Sequence, residues 1–322
     1  MSTKVYPLQF DPILKDRIWG GEKLKTVLNK PITSAITGES WELSTVAGDV
    51  SVVANGDLKG QSLTQLIEEN PNAILGTEVH SKFGNQFPLL FKYLDAREDL
   101  SIQVHPNDAL AKERHNSFGK TEMWYVMQAD ADSNIIVGFK EDSSQEEYLK
   151  HLNDNSLLSI LDTVPVKKGH AYFLETGTVH AIGAGLLIAE IQQTSDITYR
   201  LYDFDRKDAQ GNTRELHVDL ALEAINYKKF NTRKPYLEEE NQSNSIVNCP
   251  YFTTNFIPLT EEMKVGKTGN SFTVYMCIDG TFELEYDKTI YSYKQGDTVL
   301  IPAAMDYYIL TGKASILEIY IS

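Results

Sequence analysis

Lys168-Gly169-His170-Ala171-Tyr172-Phe173-Leu174 and Gln295-Gly296-Asp297-Thr298-Val299-Leu300-Ile301 share one pattern, a glycine turn followed by a short apolar run. Glycine tolerates the positive φ of a tight turn, and runs rich in aromatic and β-branched residues suit a pleated surface. Continuing the same register sets Glu175 opposite Pro302 and His180 opposite Tyr307. A repeated unit of this kind, in a chain of many short strands, predicts a mainly β fold: two jelly-roll barrels with a few added helices. The second barrel has lost a histidine that the first keeps.

Outward from the repeat, strands are expected at 7–10, 39–44, 87–94, 123–127, 134–139 and 186–191, with 100–104 alternating Leu100, Ile102 and Val104 on one side. Trp19-Gly20-Gly21, Asp279-Gly280 and Gln295-Gly296-Asp297 read as turns. Ser62 is an expected N-cap for a helix over 62–69 that presents Leu63, Leu66 and Ile67. Further helices are expected over 143–161, with Tyr148, Leu149, Leu152, Leu157 and Leu158 inward, and over 215–227, with Leu216, Leu220, Ala224 and Tyr227 inward. The polar stretch 231–248, with its Glu238-Glu239-Glu240 run, reads as a linker. It divides the chain into a catalytic domain at 1–230 and a degenerate barrel at 231–322.

Thirty basic and forty-five acidic residues give a formal net charge of -15, which argues against nucleic acid as a partner. The same charge repels any anionic small molecule, so an anionic substrate requires lysine and arginine gathered at its site. Cys249 and Cys277 are too few for a disulfide framework. No apolar run reaches membrane-spanning length, so no membrane association and a cytoplasmic location are expected.

In Leu100-Ser101-Ile102-Gln103-Val104-His105-Pro106, strand alternation points Ser101, Gln103 and His105 the same way. Core burial does not call for three consecutive polar positions on one face. Glu122 opens an apolar strand, where an unpaired carboxylate is costly, and His180 follows a glycine turn. Two imidazoles, a carboxylate and an amide oxygen form a mixed N/O set that suits zinc with an open position. Spacing alone leaves each histidine open to a structural role. His80, His115, His151, His170 and His217 read as surface or structural residues.

Several longer stretches carry a resemblance: Arg17-Ile18-Trp19-Gly20-Gly21, Gly38-Glu39-Ser40-Trp41-Glu42-Leu43-Ser44, Leu90-Phe91-Lys92, Leu100 through Asp108, Gly119-Lys120-Thr121-Glu122-Met123-Trp124, Gly177-Thr178-Val179-His180-Ala181-Ile182-Gly183, and Gln192 through Asp203. In these the chain resembles the type I phosphomannose isomerases in their short bacterial form, zinc enzymes built on cupin barrels. The resemblance implies reversible conversion of mannose 6-phosphate to fructose 6-phosphate through a cis-enediolate, with one zinc ion per chain. It places the zinc ligands at His105, Glu122, His180 and Gln103, the active-site arginine at Arg200, and substrate contacts at Ser101, Lys92 and Lys120. Two positions depart from the family pattern: Glu175 stands where a proline is usual, and Arg206 where longer relatives have a lysine. Arg206 is expected to meet phosphate all the same.

Lys92, Lys120, Arg200 and Arg206 would then supply the positive charge that so acidic a chain needs. For the proton transfer Glu190, ten residues before Arg200, is the first candidate base, with Asp196 and a zinc-bound hydroxide as alternatives and a salt bridge to Arg200 as its structural role. A cupin oxygenase and a non-catalytic sugar-phosphate sensor are the rival readings; the cation set disfavours the first and the intact ligand set the second. A monomer or weak homodimer is expected.

Overall fold

The structure, a computed structural model, describes residues 5–207 and 210–322. The chain runs through β1 (Ile13–Gly21), β2 (Thr37–Leu43), the two-residue β3 (Thr45–Val46) and β4 (Asp49–Val50), β5 (Leu89–Ala96), β6 (Ile102–Val104) and β7 (Glu122–Ala129). It continues as β8 (Asn134–Phe139), β9 (Leu161–Pro165), β10 (Ala171–Leu174), β11 (His180–Ile182), β12 (Leu186–Gln193), β13 (Tyr199–Tyr202) and β14 (Arg233–Lys234). The last part holds β15 (Asn244–Asn248), β16 (Thr253–Leu259), β17 (Met263–Gly266), β18 (Thr273–Tyr286), β19 (Thr289–Lys294), β20 (Thr298–Ile301) and β21 (Tyr307–Tyr320).

These strands form a first sheet in the order β1-β2-β5-β12-β7-β10-β14, a second in the order β13-β6-β11-β8-β9, and a third built on β15-β16-β21-β18-β19 with β17 and β20 attached. Every residue of β5 and β12 is buried, because the first sheet is covered on both faces. One face meets the second sheet through Trp124, Val126, Val137, Ile182 and Ile188, the interior of the first barrel. The other face packs Phe91, Met123 and Ala189 against Val274, Met276 and Leu317 of the third sheet. The third sheet curls around Tyr275, Cys277, Val299, Ile301 and Ile316, the interior of the second barrel.

The fold is thus mainly β with two barrels, and the repeat that predicted it is visible in space. Gly169 and Gly296 both have positive φ, +88° and +91°. Each precedes a four-residue strand, β10 or β20, and the next strands open at His180 and Tyr307 as the sequence register required.

Several local expectations change. Trp19-Gly20-Gly21 is the end of β1, not a turn: a Cβ on Gly20 would lie 2.3 Å from the Ile36 carbonyl oxygen and 2.4 Å from Gly38 N, so this glycine admits a close backbone approach. Asp279-Gly280 lies inside β18, beside a bulge between Cys277 and Asp279. Residues 7–10 form only isolated bridges, Leu8 to Leu300 and Phe10 to Val53. The expected 143–161 helix stops at Asn153, and Leu158 lies exposed within a separate 3₁₀ turn, Leu157–Ser159.

The 215–227 helix shrinks to Val218–Leu222, because His217 exchanges two hydrogen bonds with the Arg200 backbone instead of entering the helix. Ala221 of this helix is buried, and beyond it Ile225 is buried with Ala224 and Tyr227 packed against the same core as expected, while Leu216 and Leu220 are exposed. The 231–248 stretch is only partly linker, since β14 pairs with β10 and β15 with β16, leaving Glu238 to Glu240 exposed.

The helix Leu63–Glu69 has its expected start: the Ser62 side chain accepts from Gln65 N while Gln65 Oε1 accepts from Ser62 N, a reciprocal capping box. Ser62→Ala is expected to lower unfolding stability by about 1 kcal/mol, read as a shift of the urea midpoint with unchanged slope; no shift would show the cap to be idle.

Candidate active site and metal centre

Alternation along β6 sends Ile102 and Val104 into the apolar layer outside the barrel and turns Ser101 and Gln103 toward its interior. β11 lies beside β6 with His180 opposite Gln103, and β13 lies on its other side with Arg200 opposite Gln103. β7 brings Glu122 from the facing sheet. Three elements far apart in sequence therefore converge, and one ligand atom each from His105, Glu122 and His180 lies within 4.8 Å of the others, all three residues buried.

The hydrogen bonds around this trio orient it. His105 Nδ1 donates to the Ile197 carbonyl (2.9 Å) and His180 Nδ1 to the Thr178 carbonyl (2.8 Å), which leaves both Nε2 lone pairs directed inward. His180 Nε2 lies 3.3 Å from Glu122 Oε1, and His105 Nε2 lies 3.6 Å from Oε2. Lys120 Nζ donates to His105 Nε2 at 3.1 Å, and Gln103 Nε2 faces His180 Nε2 at 3.2 Å. Both imidazoles thus act as acceptors.

Burial, with the Lys120 charge nearby, holds His105 well below the usual histidine range, and burial brings His180 down to about 4. Burial also raises Glu122 to about 7, Glu190 adding repulsion and Lys120 opposing it. Both Glu122 carboxylate oxygens are buried and find no hydrogen-bond partner among the described residues. Lys120 Nζ comes within 3.3 Å of Oε2 and does not make up the deficit. An orphaned buried carboxylate facing two neutral imidazoles is short of a cation. The site fits a metal ion.

Beside this trio, between the first and second sheets, opens a cavity of about 530 Å³. Its lining includes Ser101, Gln103, Lys92, Lys120, Glu190 and Arg200, so the expected substrate-side residues do come together. Lys92 Nζ donates to Glu190 Oε1 (3.0 Å) and to Gln192 Oε1 (2.7 Å), and sits 5.2 Å from the centre of the Trp41 ring. Glu190 also accepts from Trp124 Nε1 at 2.9 Å. Burial alone would raise this carboxyl, but Lys92, Lys120 and these hydrogen bonds bring it down to about 2. The ion-pair partner of Glu190 is therefore Lys92, where the sequence reading had offered Arg200.

Arg200 Nε donates to Ser101 Oγ (3.3 Å) and its Nη1 to the Glu215 carbonyl (2.9 Å). Arg206 departs from expectation, for it does not line the cavity. Its guanidinium turns to Asp203, with Nη2 2.6 Å from Oδ1, and to the Asp99 carbonyl. Arg214, which the sequence reading passed over, does line the cavity and pairs with the same Asp203. Lys15, Arg17, Glu39 and Trp41 are further cavity residues not singled out from sequence. Arg17-Ile18-Trp19 and Glu39-Ser40-Trp41 stood in the quoted family stretches, and alternation along β1 and β2 was the available signal.

The second barrel repeats part of this arrangement. Register places Trp124 and Lys92 on either side of Glu190, and likewise Tyr275 and Asn255 on either side of Glu318. Tyr275 Oη donates to Glu318 Oε1 (3.2 Å) and Asn255 Nδ2 to Oε2 (2.8 Å). At the two ligand positions the barrels differ. Leu174 pairs with Glu122 and Ile301 with Thr273, so Thr273 stands in the place of Glu122, and Tyr307 in that of His180. The buried carboxylate with its two donors survives where those ligands have gone.

Comparison with known proteins agrees with this architecture. A family model described as phosphomannose isomerase type I, catalytic domain, matches residues 8–140, and one described as mannose-6-phosphate isomerase, cupin domain, matches residues 242–321. The mannose-6-phosphate isomerase ManA of Bacillus subtilis is 37% identical over 318 residues, covering 98% of both chains. A mannose-6-phosphate isomerase of Streptococcus mutans is 35% identical over 97% of both. The crystal structure of the mannose 6-phosphate isomerase from Bacillus subtilis superposes with a TM-score of 0.91 at 33% identity, covering 98% of this chain and 100% of that one.

Proposed function

This chain belongs to the type I phosphomannose isomerases, aldose–ketose isomerising enzymes, and from that premise we propose that it interconverts mannose 6-phosphate and fructose 6-phosphate on one zinc ion, through a cis-enediolate. The observation that carries the metal part is the Glu122 carboxylate, buried and without hydrogen bonds between two neutral imidazoles. His105, Glu122 and His180 would hold the ion, since two nitrogens and a carboxylate oxygen suit zinc. Gln103 joins them if its amide turns to present oxygen where its nitrogen now faces His180. Zinc supplies a Lewis acid that stabilises negative charge developing on the two substrate oxygens and so acidifies the adjoining C–H bond.

The remaining work falls to side chains. Ser101, Lys92 and Lys120 line the cavity next to the ligands and would orient the sugar hydroxyls and carbonyl. Arg200, fixed through Ser101 and the Glu215 carbonyl, places a permanent charge beside the same cavity and would stabilise the enediolate. Glu190 is the first candidate for the base, but despite its burial its ion pair with Lys92 and its hydrogen bond from Trp124 hold the carboxylate low and already engage both of its oxygens. Its counterpart Glu318 keeps donors at the same two register positions, the neutral Tyr275 and Asn255, and gains a third in Ser243. We therefore assign Glu190 to holding Lys92, and the proton transfer to Asp196, the exposed carboxylate on the cavity wall. Arg206 would act on substrate only through Asp203. Every residue in this scheme lies within 1–230, which we propose as the catalytic unit, with 231–322 as a degenerate barrel.

A coupled assay for fructose 6-phosphate production from mannose 6-phosphate tests the reading; no turnover with zinc present would sink it. Arg200→Ala is expected to keep the metal, measured by elemental analysis, and to lose about a hundred- to a thousandfold in kcat, the range for removing one preorganised donor.

A further inference from the structure

The cations of the cavity are not equally matched. Lys15 pairs with Asp49, Arg17 with Glu39 and Lys92 with Glu190, one acid to each. Around Asp203 the ratio changes. Arg214 and Arg206 both pair with the single buried carboxylate of Asp203, and Arg200 stands close enough to feel all three. Burial and then the Arg214 charge depress the Arg200 guanidinium against the pull of Asp203, while Arg214 and Arg206 hold Asp203 low despite its burial. Among the described residues three guanidiniums therefore gather around one buried carboxylate and the exposed Glu215.

Position gives this surplus a meaning. Arg200 bonds Ser101, which lies two residues from Gln103 on the same strand face, roughly 7 Å along the strand. A hexose 6-phosphate with its C1–C2 end at the trio, where Arg200 stands opposite Gln103, would extend its phosphate past Arg200 toward Arg214, which lines the same cavity. Of the two arginines that Asp203 fixes, only Arg214 lines the cavity. Arg206 spends its guanidinium on Asp203 and the Asp99 carbonyl.

We propose that Arg214, oriented by Asp203 and braced from behind by Arg206, is the phosphate-binding residue of this enzyme, so that the phosphate monoester of the substrate neutralises the surplus of guanidinium charge. The inference rests on the isomerase reading for the identity of the substrate, and on the charge cluster alone for phosphate. Arg214 holds both Asp203 oxygens through Nε and Nη2, and a guanidinium with five N–H donors in one plane still has donors to offer a phosphate from the side away from Asp203, a geometry that an ammonium does not supply. Arg214 is a substrate-binding residue outside the proton transfer, and Asp203 and Arg206 position it.

Steady-state kinetics on the full chain, with inorganic phosphate as a competing anion, test it. Arg214→Met is expected to raise KM for mannose 6-phosphate roughly ten- to a hundredfold, the weight of one or two hydrogen bonds to a charged group, with kcat held within about threefold. The inhibition constant of inorganic phosphate should rise by a similar factor. Arg214→Lys, which keeps the charge and loses the fork, should fall between; it carries the comparison if the methionine variant does not fold. KM and phosphate inhibition both unchanged in a folded variant would overturn the assignment, and so would a loss confined to kcat. Titration calorimetry of inorganic phosphate separates the two claims: Arg214-dependent phosphate binding in a wild type that does not isomerise mannose 6-phosphate would leave the subsite standing and remove the isomerase reading.

Discussion

His180→Ala is expected to empty the metal site and to lower turnover by about a thousandfold or more, the several kcal/mol that a Lewis acid contributes to stabilising developing charge. His180 is buried, and its ring is fixed by the Thr178 carbonyl so that Nε2 faces Glu122 at 3.3 Å. Alanine removes one of three converging ligands and leaves Glu122 facing a single imidazole. Chelation of the wild type should reproduce the loss, and added zinc should restore activity to the wild type alone. Elemental analysis gives the decisive number: a His180→Ala protein that retains one zinc per chain would refute the ligand assignment, whatever its activity. Glu122→Gln provides a near-isosteric control, since an amide cannot supply the negative charge that draws the cation.

Much of this was legible in the sequence because strand geometry is local. Alternation alone put Ser101 and Gln103 on one face, and the Gly169 and Gly296 repeats fixed a register that the two barrels obey as far as His180 and Tyr307. Turn and helix limits were less legible, because they depend on contacts across the fold. Gly20 looks like a turn residue until Gly38 is brought against it, and His217 ends a helical pattern early because it is captured by the Arg200 backbone. The cation assignments failed in the same way. Nothing in the spacing of Arg206 and Arg214 says which of them Asp203 will turn toward the cavity, and the local sequence around Glu190 gives no sign that Lys92 and Trp124 will occupy it.

That occupation leads to the second large effect. Lys92→Met should destabilise the fold by about 3–5 kcal/mol, since it leaves the Glu190 carboxylate buried without its counter-ion. The double variant Lys92→Met with Glu190→Gln should recover most of that loss, because no uncompensated charge is then buried. Acid sensitivity gives a separate reading. Glu190 sits at about 2 in the folded chain, below the roughly 4.3 of a free glutamate. Its contribution is therefore present above that ordinary value and is lost as pH falls toward 2. Urea midpoints at pH 7 and pH 3 should diverge more for the wild type than for the double variant; equal divergence would show that the pair contributes nothing to acid stability. Activity of the single Glu190→Gln variant then decides between roles. A base would leave a deficit of roughly a hundred- to ten-thousandfold together with loss of the acidic limb of the pH profile. A residue that holds Lys92 leaves that limb in place and moves chiefly KM, and Asp196→Asn is then the variant in which the limb disappears.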